Sequence, residues 1–370
     1  MGSDLPGEAI ASFVRLLYEV GPNFSEISRR INVPKETIRY WYHKKILAHG
    51  FGVYASIDME KLGLKRVAMI VDFGKEYRHH AQAILIAMNQ LCYVTYFERI
   101  MPEDTYLVHS SVPEQYLQSY LGLFTQLKEI GLFSSVESYV FDTFRTMPMK
   151  GEFYDFDTGR WFYDWKALDN FQLPTISKKE DFDYTDLLII KELQKDASRS
   201  FSVIAKELTM NYRTLNWHYT NHIMKRQLVK GYILRWMGTS YDYKAEKALQ
   251  RAHRYFNVSV FIKKPLSASL LSRINELPFL WSEGLAQNYY EFDFFFPVDV
   301  INECFQYLTD VLIPVKEAVK VLILDQTNAL SFSIPYHLYD PDRRRWSFQP
   351  EILLERFREL QIKISHPANS

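Results

Sequence analysis

Residues Tyr184 to Trp236 read YTDLLIIKELQKDASRSFSVIAKELTMNYRTLNWHYTNHIMKRQLVKGYILRW, and this stretch decides the fold. Leu187, Leu188, Ile189, Ile190 and Leu193 fall at helical spacing and leave Lys191, Glu192 and Lys195 outward. Ser202 stands where it would cap a short second helix that turns Ile204, Ala205 and Leu208 inward. After the turn Thr209-Met210-Asn211, a third helix gives Leu215 and Tyr219 to the core and leaves Tyr212, Arg213, Asn216, Trp217 and Thr220 on the other face. Leu228 to Leu234 then reads as the strand of a wing. Two apolar helices holding a third that is rich in hydrogen-bonding groups form the helix-turn-helix plan for reading a major groove.

The same plan recurs earlier in the chain. Subtracting 177 sets Phe201-Ser202 on Phe24-Ser25, and the register holds without a gap: Ile204 meets Ile27, Leu208 meets Ile31, Thr214 meets Thr37, Leu215 meets Ile38 and Tyr219 meets Tyr42. Residues 8–60 thus form a second winged helix. Its third helix follows Pro34 and displays Lys35, Glu36, Arg39, Tyr40 and His43, with Lys44, Lys45 and His49 beyond. Glu8 to Phe51 carries seven basic and four acidic residues, and Tyr184 to Trp236 nine and four. The chain as a whole is neutral, with 44 of each sign, so positive charge gathers where a phosphate backbone would lie.

A second pattern follows each winged helix. Strands are expected at Arg66–Phe73, Leu91–Glu98, Thr105–Ser111 and Phe133–Phe141, with helices at Arg78–Gln90 and from Pro113 to Ile130. The later copy places strands at Asn257–Lys263, Phe279–Ala286, Tyr289–Phe296 and Val315–Leu324, with helices at Leu266–Leu277 and from Pro297 to Leu312. Each copy is a β-α-β-β-α-β unit of ferredoxin-like type. Tyr93, Tyr96, Phe97, Phe292, Phe294, Phe295 and Phe296 suit sheet faces covered by helices or by another sheet. Tyr154 to Trp161 and Tyr339 to Trp346 repeat at an offset of 185, and each predicts a hairpin whose Trp packs on the domain before it. The expected divisions are 8–60, 64–142, 143–183, 184–240, 254–326 and 327–370, in an α+β fold. Lys166 to Asp183 links the halves, and Pro350 to Ile364 forms an amphipathic closing helix.

Composition narrows the classes. Hydrophobic residues make up 47% of 370, which excludes global disorder. Cys92 and Cys304 are the two cysteines, too few for a disulfide framework and in keeping with a reducing cytoplasm. No apolar run approaches the length of a membrane span. His218 and His222 stand four apart, the spacing of a helical zinc pair, but no third ligand is indicated, so contact with DNA or the core is preferred to a metal. Gly-rich phosphate loops, CxxC pairs and nucleophile elbows are lacking, so the expectation is a protein that is not an enzyme and has no cofactor.

The stretch Tyr184–Trp236 resembles the winged helix-turn-helix of the Lrp/AsnC (leucine-responsive, feast/famine) regulators. Asp186, Ile190, Leu193, Gln194 to Ala197, Arg199, Ile204-Ala205, Leu208, Thr214-Leu215 and Gly231-Tyr232 carry the likeness. His218 stands where that family usually has Arg, and about four extra residues precede Gly231. The resemblance implies a sequence-specific, double-stranded DNA-binding transcription regulator, nucleoid-associated in the cytoplasm, with its two halves joined as a dimer-like unit and two sheets packed together. It leaves a homodimer and a small-molecule effector open as partners, and the turns Met101–Asp104 and Ala286–Asn288 lack that family's Gly. The expected DNA contacts are Lys35, Thr37, Arg39, Tyr40, His43 and Lys44 in the first copy. In the second they are Tyr212, Arg213, Thr214, Asn216, Trp217, Thr220, Lys225, Arg226 and Lys230. The alternatives are an architectural or replication-origin DNA-binding protein, or a protein-interaction scaffold.

Overall fold

The computed structural model describes residues 6–162, 175–237 and 254–365. The first helical unit comprises α1 (Pro6–Val20), α2 (Phe24–Ile31) and α3 (Lys35–Trp41), and α3 runs on as a π turn to Ile46. Local chemistry fixes these ends. Asn23 accepts from the Glu26 amide at 3.2 Å to start α2, and Asn32, at φ 53°, closes it in the left-handed region. Strand β1 (Gly52–Ile57) follows.

Next come β2 (Leu64–Phe73), α4 (Ala81–Leu91), β3 (Val94–Met101), β4 (Thr105–Pro113), α5 (Leu117–Glu129), β5 (Phe133–Thr146) and a hairpin of β6 (Tyr154–Asp155) and β7 (Arg160–Trp161). The second half supplies α6 (Tyr184–Lys195), α7 (Phe201–Glu207) and α8 (Tyr212–His218), the last continuing as a π turn to Met224, then β8 (Val229–Arg235). The remainder is β9 (Tyr255–Lys263), α9 (Ala268–Glu276), β10 (Leu280–Ala286), β11 (Tyr289–Pro297), α10 (Ile301–Leu312), β12 (Val319–Ser331), the hairpin β13 (Tyr339–Asp340) and β14 (Arg345–Trp346), and α11 (Pro350–Ser365). Ser200, not Ser202, caps α7, accepting from the Val203 amide. The linker expected from Lys166 lies in part outside the described residues.

The two wing strands pair with each other. β1 and β8 run antiparallel from Gly52↔Arg235 to Ser56↔Gly231, with α1 against β8 and α6 against β1. Each helical unit therefore rests on the strand of the other. Glycine is required at 231, because a Cβ there would stand 2.6 Å from the Tyr18 carbonyl oxygen. Gly231→Ala is expected to destabilise the chain by about 1–3 kcal/mol, since backbone must move to admit one methyl group; thermal unfolding of the variant measures it.

The expectation of two packed sheets is corrected. The strands close into one barrel in the order β10-β11-β9-β12-β3-β4-β2-β5, completed where β5 pairs β10. Both joining strands outrun their expected ends. Residues 143–146 of β5 pair with Leu285 to Ser282, and Leu330 and Ser331 of β12 pair with Phe97 and Tyr96. Closure removes the four edges that separate sheets would expose. α4, α5, α9 and α10 cover the outer face, with Leu85, Tyr120, Phe124, Ile274 and Leu308 among the buried contacts.

The barrel interior divides along its axis. One end is apolar, filled by Ala68, Ile70, Ile100, Leu107, Tyr139, Phe141, Phe261 and Leu324. Moving two or four residues along the same strands gives Arg66, Tyr96, Glu98, His109, Ser111 and Asn257, which share that inward face by strand alternation.

The hairpins pack across the molecule, which corrects the expectation that each Trp serves the domain before it. Trp161 donates from Nε1 to Tyr255 Oη at 3.2 Å and meets Phe279 and Trp236. Trp346 donates to the Leu62 carbonyl at 3.0 Å and stands edge-on to Tyr93. α11 packs on α5, burying Leu353 and Phe357.

Candidate functional site

The expected DNA contacts divide by geometry. On the first unit Lys35, Arg39, Tyr40, His43 and Lys44 are exposed and Thr37 is half-buried, with Arg39 paired to Glu36 at 3.1 Å. On the second, Tyr212, Arg213, Thr214, Asn216, Trp217, Thr220 and Lys225 are exposed. Two residues are otherwise engaged. Arg226 is half-buried and donates to the Asp181 carbonyl. Lys230 lies 3.4 Å from both Asp58 and Glu60 and faces a cavity.

That cavity is the polar end of the barrel, covered by the β1–β8 ribbon. It is open to solvent, and its atom-free space comes to about 1480 Å³ with that open solvent counted. Four cations line it: Arg66, Arg145, Lys230 and Arg235. Aromatic groups form its walls, and the guanidiniums of Arg66 and Arg235 lie on them. Arg66 sits 4.7 Å over the Phe144 ring, and Arg235 lies 5.1 Å and 5.5 Å from the Tyr54 and Trp281 rings. Arg145 is held by Glu283 at 2.5 Å.

Below the cations lies a buried titratable group. Arg66 Nη2 is 3.0 Å from His109 Nδ1, and His109 Nε2 is 2.9 Å from Glu291 Oε1. Burial, then the Arg66 charge, pushes the His109 pKa down to about 3. Burial pushes Glu291 up to about 8, and Glu98 likewise to about 8. Asp293 rises to about 6 through burial and the nearby Glu291. Near neutral pH the His109–Glu291 contact is therefore a hydrogen bond between neutral groups and not an ion pair. With the guanidinium donating to Nδ1, the ring proton sits on Nε2 and is donated to Glu291. Glu98 accepts from Tyr96 and from Asn257 Nδ2, the latter at 2.5 Å. Glu98 Oε1 and Asn257 Oδ1 have no hydrogen-bond partner among the described residues.

None of these residues was singled out from sequence for a site. The available signal was an ionisable group at an inward position of an otherwise apolar strand, as in Tyr96-Phe97-Glu98, Leu107-Val108-His109 and Glu291-Phe292-Asp293. Such a group is costly to bury and is retained for a reason.

A second cluster surrounds the second helical unit. Asp183 and Asp186 form the capping box of α6, each accepting from the other's backbone amide at 3.0 Å. His218 Nδ1 lies 2.9 Å from Asp186 Oδ1, and His222 Nδ1 lies 3.1 Å from Asp186 Oδ2. The further ligands that the histidine spacing lacked in sequence are thus supplied by the start of another helix, more than thirty residues away. All four ligand atoms fall within 4.8 Å of one another.

No family model matches the chain, and no curated protein matches it in sequence. Among solved structures, the siroheme decarboxylase NirDL in complex with an iron-uroporphyrin III analogue is similar at 8% identity and a TM-score of 0.51, over 88% of this chain and 94% of that one. A second structure of NirDL gives 10% identity and a TM-score of 0.48, over 97% and 100%. AsnC of E. coli gives 15% identity and a TM-score of 0.29, over 37% of this chain and 92% of that one. The first of these shows a shared fold. The expectation of a protein that is not an enzyme is corrected to this extent: the solved structure that is similar along most of both chains is that of an enzyme, which points away from it. Regulators of the Lrp/AsnC type match only about a third of the chain. Among the described residues no helix is long and apolar enough to cross a membrane.

Proposed function

We propose that the chain binds a flat, carboxylate-rich macrocycle of the iron-porphyrin class in the polar end of the barrel and removes carbon dioxide from one of its side chains. The observation that carries this reading is the cavity itself, lined by four cations, two of them over aromatic rings, beside acids whose pKa burial raises. Guanidinium groups match carboxylates in shape and charge, and flat aromatic walls match a macrocycle face. In such a decarboxylation the bond from side-chain carbon to carboxylate carbon breaks, CO₂ leaves, and the electron pair stays on the side-chain carbon. A proton from a neutral acid then fills that position, and no electron is gained or lost. Of the raised acids Asp293 lines the cavity, and Glu291 reaches it through His109, which also lines it; these are the groups that would pass the proton, and water from the cavity mouth would restore them. Titration of the full chain with iron-uroporphyrin III is expected to shift the visible absorption band of the macrocycle and quench Trp281 at a 1:1 ratio. Absence of saturable binding would defeat the reading.

We read the chain as two fused copies, with the divisions given above. In support, α2 and α7 begin at Phe24 and Phe201, α3 and α8 at Lys35 and Tyr212, and their π turns at Tyr42 and Tyr219, each pair separated by the same offset. A second function, sequence-specific binding of double-stranded DNA, is favoured by the outward groups of α8. Tyr212 and Trp217 are half exposed beside Arg213 and Asn216. On that reading, changing Arg213 and Asn216 together to Ala weakens binding to a selected duplex by about ten- to a hundredfold. Affinity for duplex that stays flat across salt concentration and unchanged in the variant excludes it.

A further inference from the structure

We propose that Asp183, Asp186, His218 and His222 form a four-coordinate site for a divalent transition metal of the zinc class, which clamps the start of α6 to the end of α8. The donor set is two imidazoles and two carboxylates, chemistry that suits zinc and its neighbours rather than calcium or magnesium. The imidazole nitrogens lie 2.9 and 3.1 Å from the two Asp186 oxygens and 3.8 Å each from the two Asp183 oxygens, and one ligand atom from each residue can be chosen with all four within 4.8 Å of one another. A tetrahedral ion with bonds of about 2.0–2.1 Å needs ligand atoms roughly 3.3 Å apart, which small side-chain rotations from this arrangement would reach.

Each imidazole is at hydrogen-bond distance from one oxygen of Asp186, and both Nδ1 atoms also face Asp183 at 3.8 Å, so the nitrogens of the two rings converge on the same pair of carboxylates. Among the described residues neither carboxylate pairs with Lys or Arg, so two acids and two imidazoles gather without a fixed cation. Asp186 is fully buried, the His218 and His222 side chains are 12% and 17% exposed, and the Trp217 ring lies 5.1 Å from His218 and 4.6 Å from His222. Four protein ligands, which leave no open position on a tetrahedral ion, define a structural site instead of a catalytic one.

The first helical unit supplies an internal control. Positions matching Asp186, His218 and His222 hold Ala9, Trp41 and Lys45. Trp41 packs there on Phe13, with ring centres 6.0 Å apart. The helix packing is thus met by an apolar contact, and no His/Asp cluster is needed to hold this fold together.

The test uses the full chain without an affinity tag, stripped with chelator and then dialysed against zinc or cobalt(II) alone. One zinc per chain is expected to resist dialysis, and cobalt is expected to give the intense visible absorption of a tetrahedral site, abolished by added zinc. His218→Gln with His222→Gln removes both signals while iron-uroporphyrin III binding remains, which separates this site from the barrel cavity. Should the double variant fold poorly, Asp183→Asn gives the second reading, with zinc affinity at least about tenfold weaker. Substoichiometric zinc with only weak cobalt absorption, or signals unchanged in these variants, overturns the proposal.

Discussion

Arg66→Ala is expected to weaken binding of iron-uroporphyrin III by on the order of a hundredfold, with Arg66→Lys recovering part of the loss. Arg66 stands at the centre of the cavity, donating to His109 at 3.0 Å and Thr95 at 2.9 Å and stacked on Phe144. Truncating one member of a hydrogen-bonded charge pair in a desolvated site costs about 2–5 kcal/mol, and a hundredfold is about 2.7 kcal/mol within that range. Lysine keeps the charge but loses the planar fork and the stacking. The measurement is an absorption titration of the macrocycle, run beside thermal unfolding to separate lost binding from lost structure. Wild-type affinity in a folded Arg66→Ala protein would place the macrocycle elsewhere.

The second large effect is in the pH dependence of stability. Glu98 and Glu291 have folded pKa values near 8 against 4.5 for the free group. Between about pH 4.5 and 8 the folded chain therefore holds protons that the unfolded chain has released, so these groups make stability fall as pH rises through that window. Asp293, raised to about 6, acts in the same direction. His109, lowered to about 3, acts oppositely: below its ordinary 6.5 the unfolded chain takes up a proton that the folded chain refuses, so stability falls on acidification. Three acids outweigh one base over the shared range. The melting temperature is expected to rise from about pH 8.5 to about pH 5 and to fall below about pH 4. Glu98→Gln and Glu291→Gln keep the shape and remove the charge. Each is expected to stabilise the chain by on the order of 2 kcal/mol at about pH 8.5 and to flatten that slope. A profile that stays unchanged in both variants would show that these carboxyls ionise freely in the folded state.

Elements defined by neighbours in the chain were legible in the sequence. The apolar spacing of Leu187, Ile190 and Leu193 marked α6, and Ile204-Ala205 with Leu215 marked the two helices after it, because helical burial repeats over a few residues. The barrel strands were placed within a few residues for the same reason, save that β5 and β12 run on to Thr146 and Ser331. Those extensions carry most of the pairing that closes the barrel, and nothing local distinguishes them from the strand ends of two separate sheets. The histidine pair showed only half of its cluster, since Asp183 and Asp186 lie on another helix. The cavity was the least visible feature. Glu98, His109 and Glu291 sit on three strands whose inward faces meet only after closure.

By itself the sequence determined the helical units and the order of strands along the chain, because both follow from short-range periodicity. Tertiary structure decided the rest. It paired β1 with β8, exchanged Trp161 and Trp346 across the molecule and joined the strands into one barrel. It also turned inward charges, each unfavourable alone, into a cavity of cations beside acids whose pKa burial raises. The physical reason is desolvation: a carboxyl at an inward strand position has an ordinary pKa until a distant strand removes the water around it.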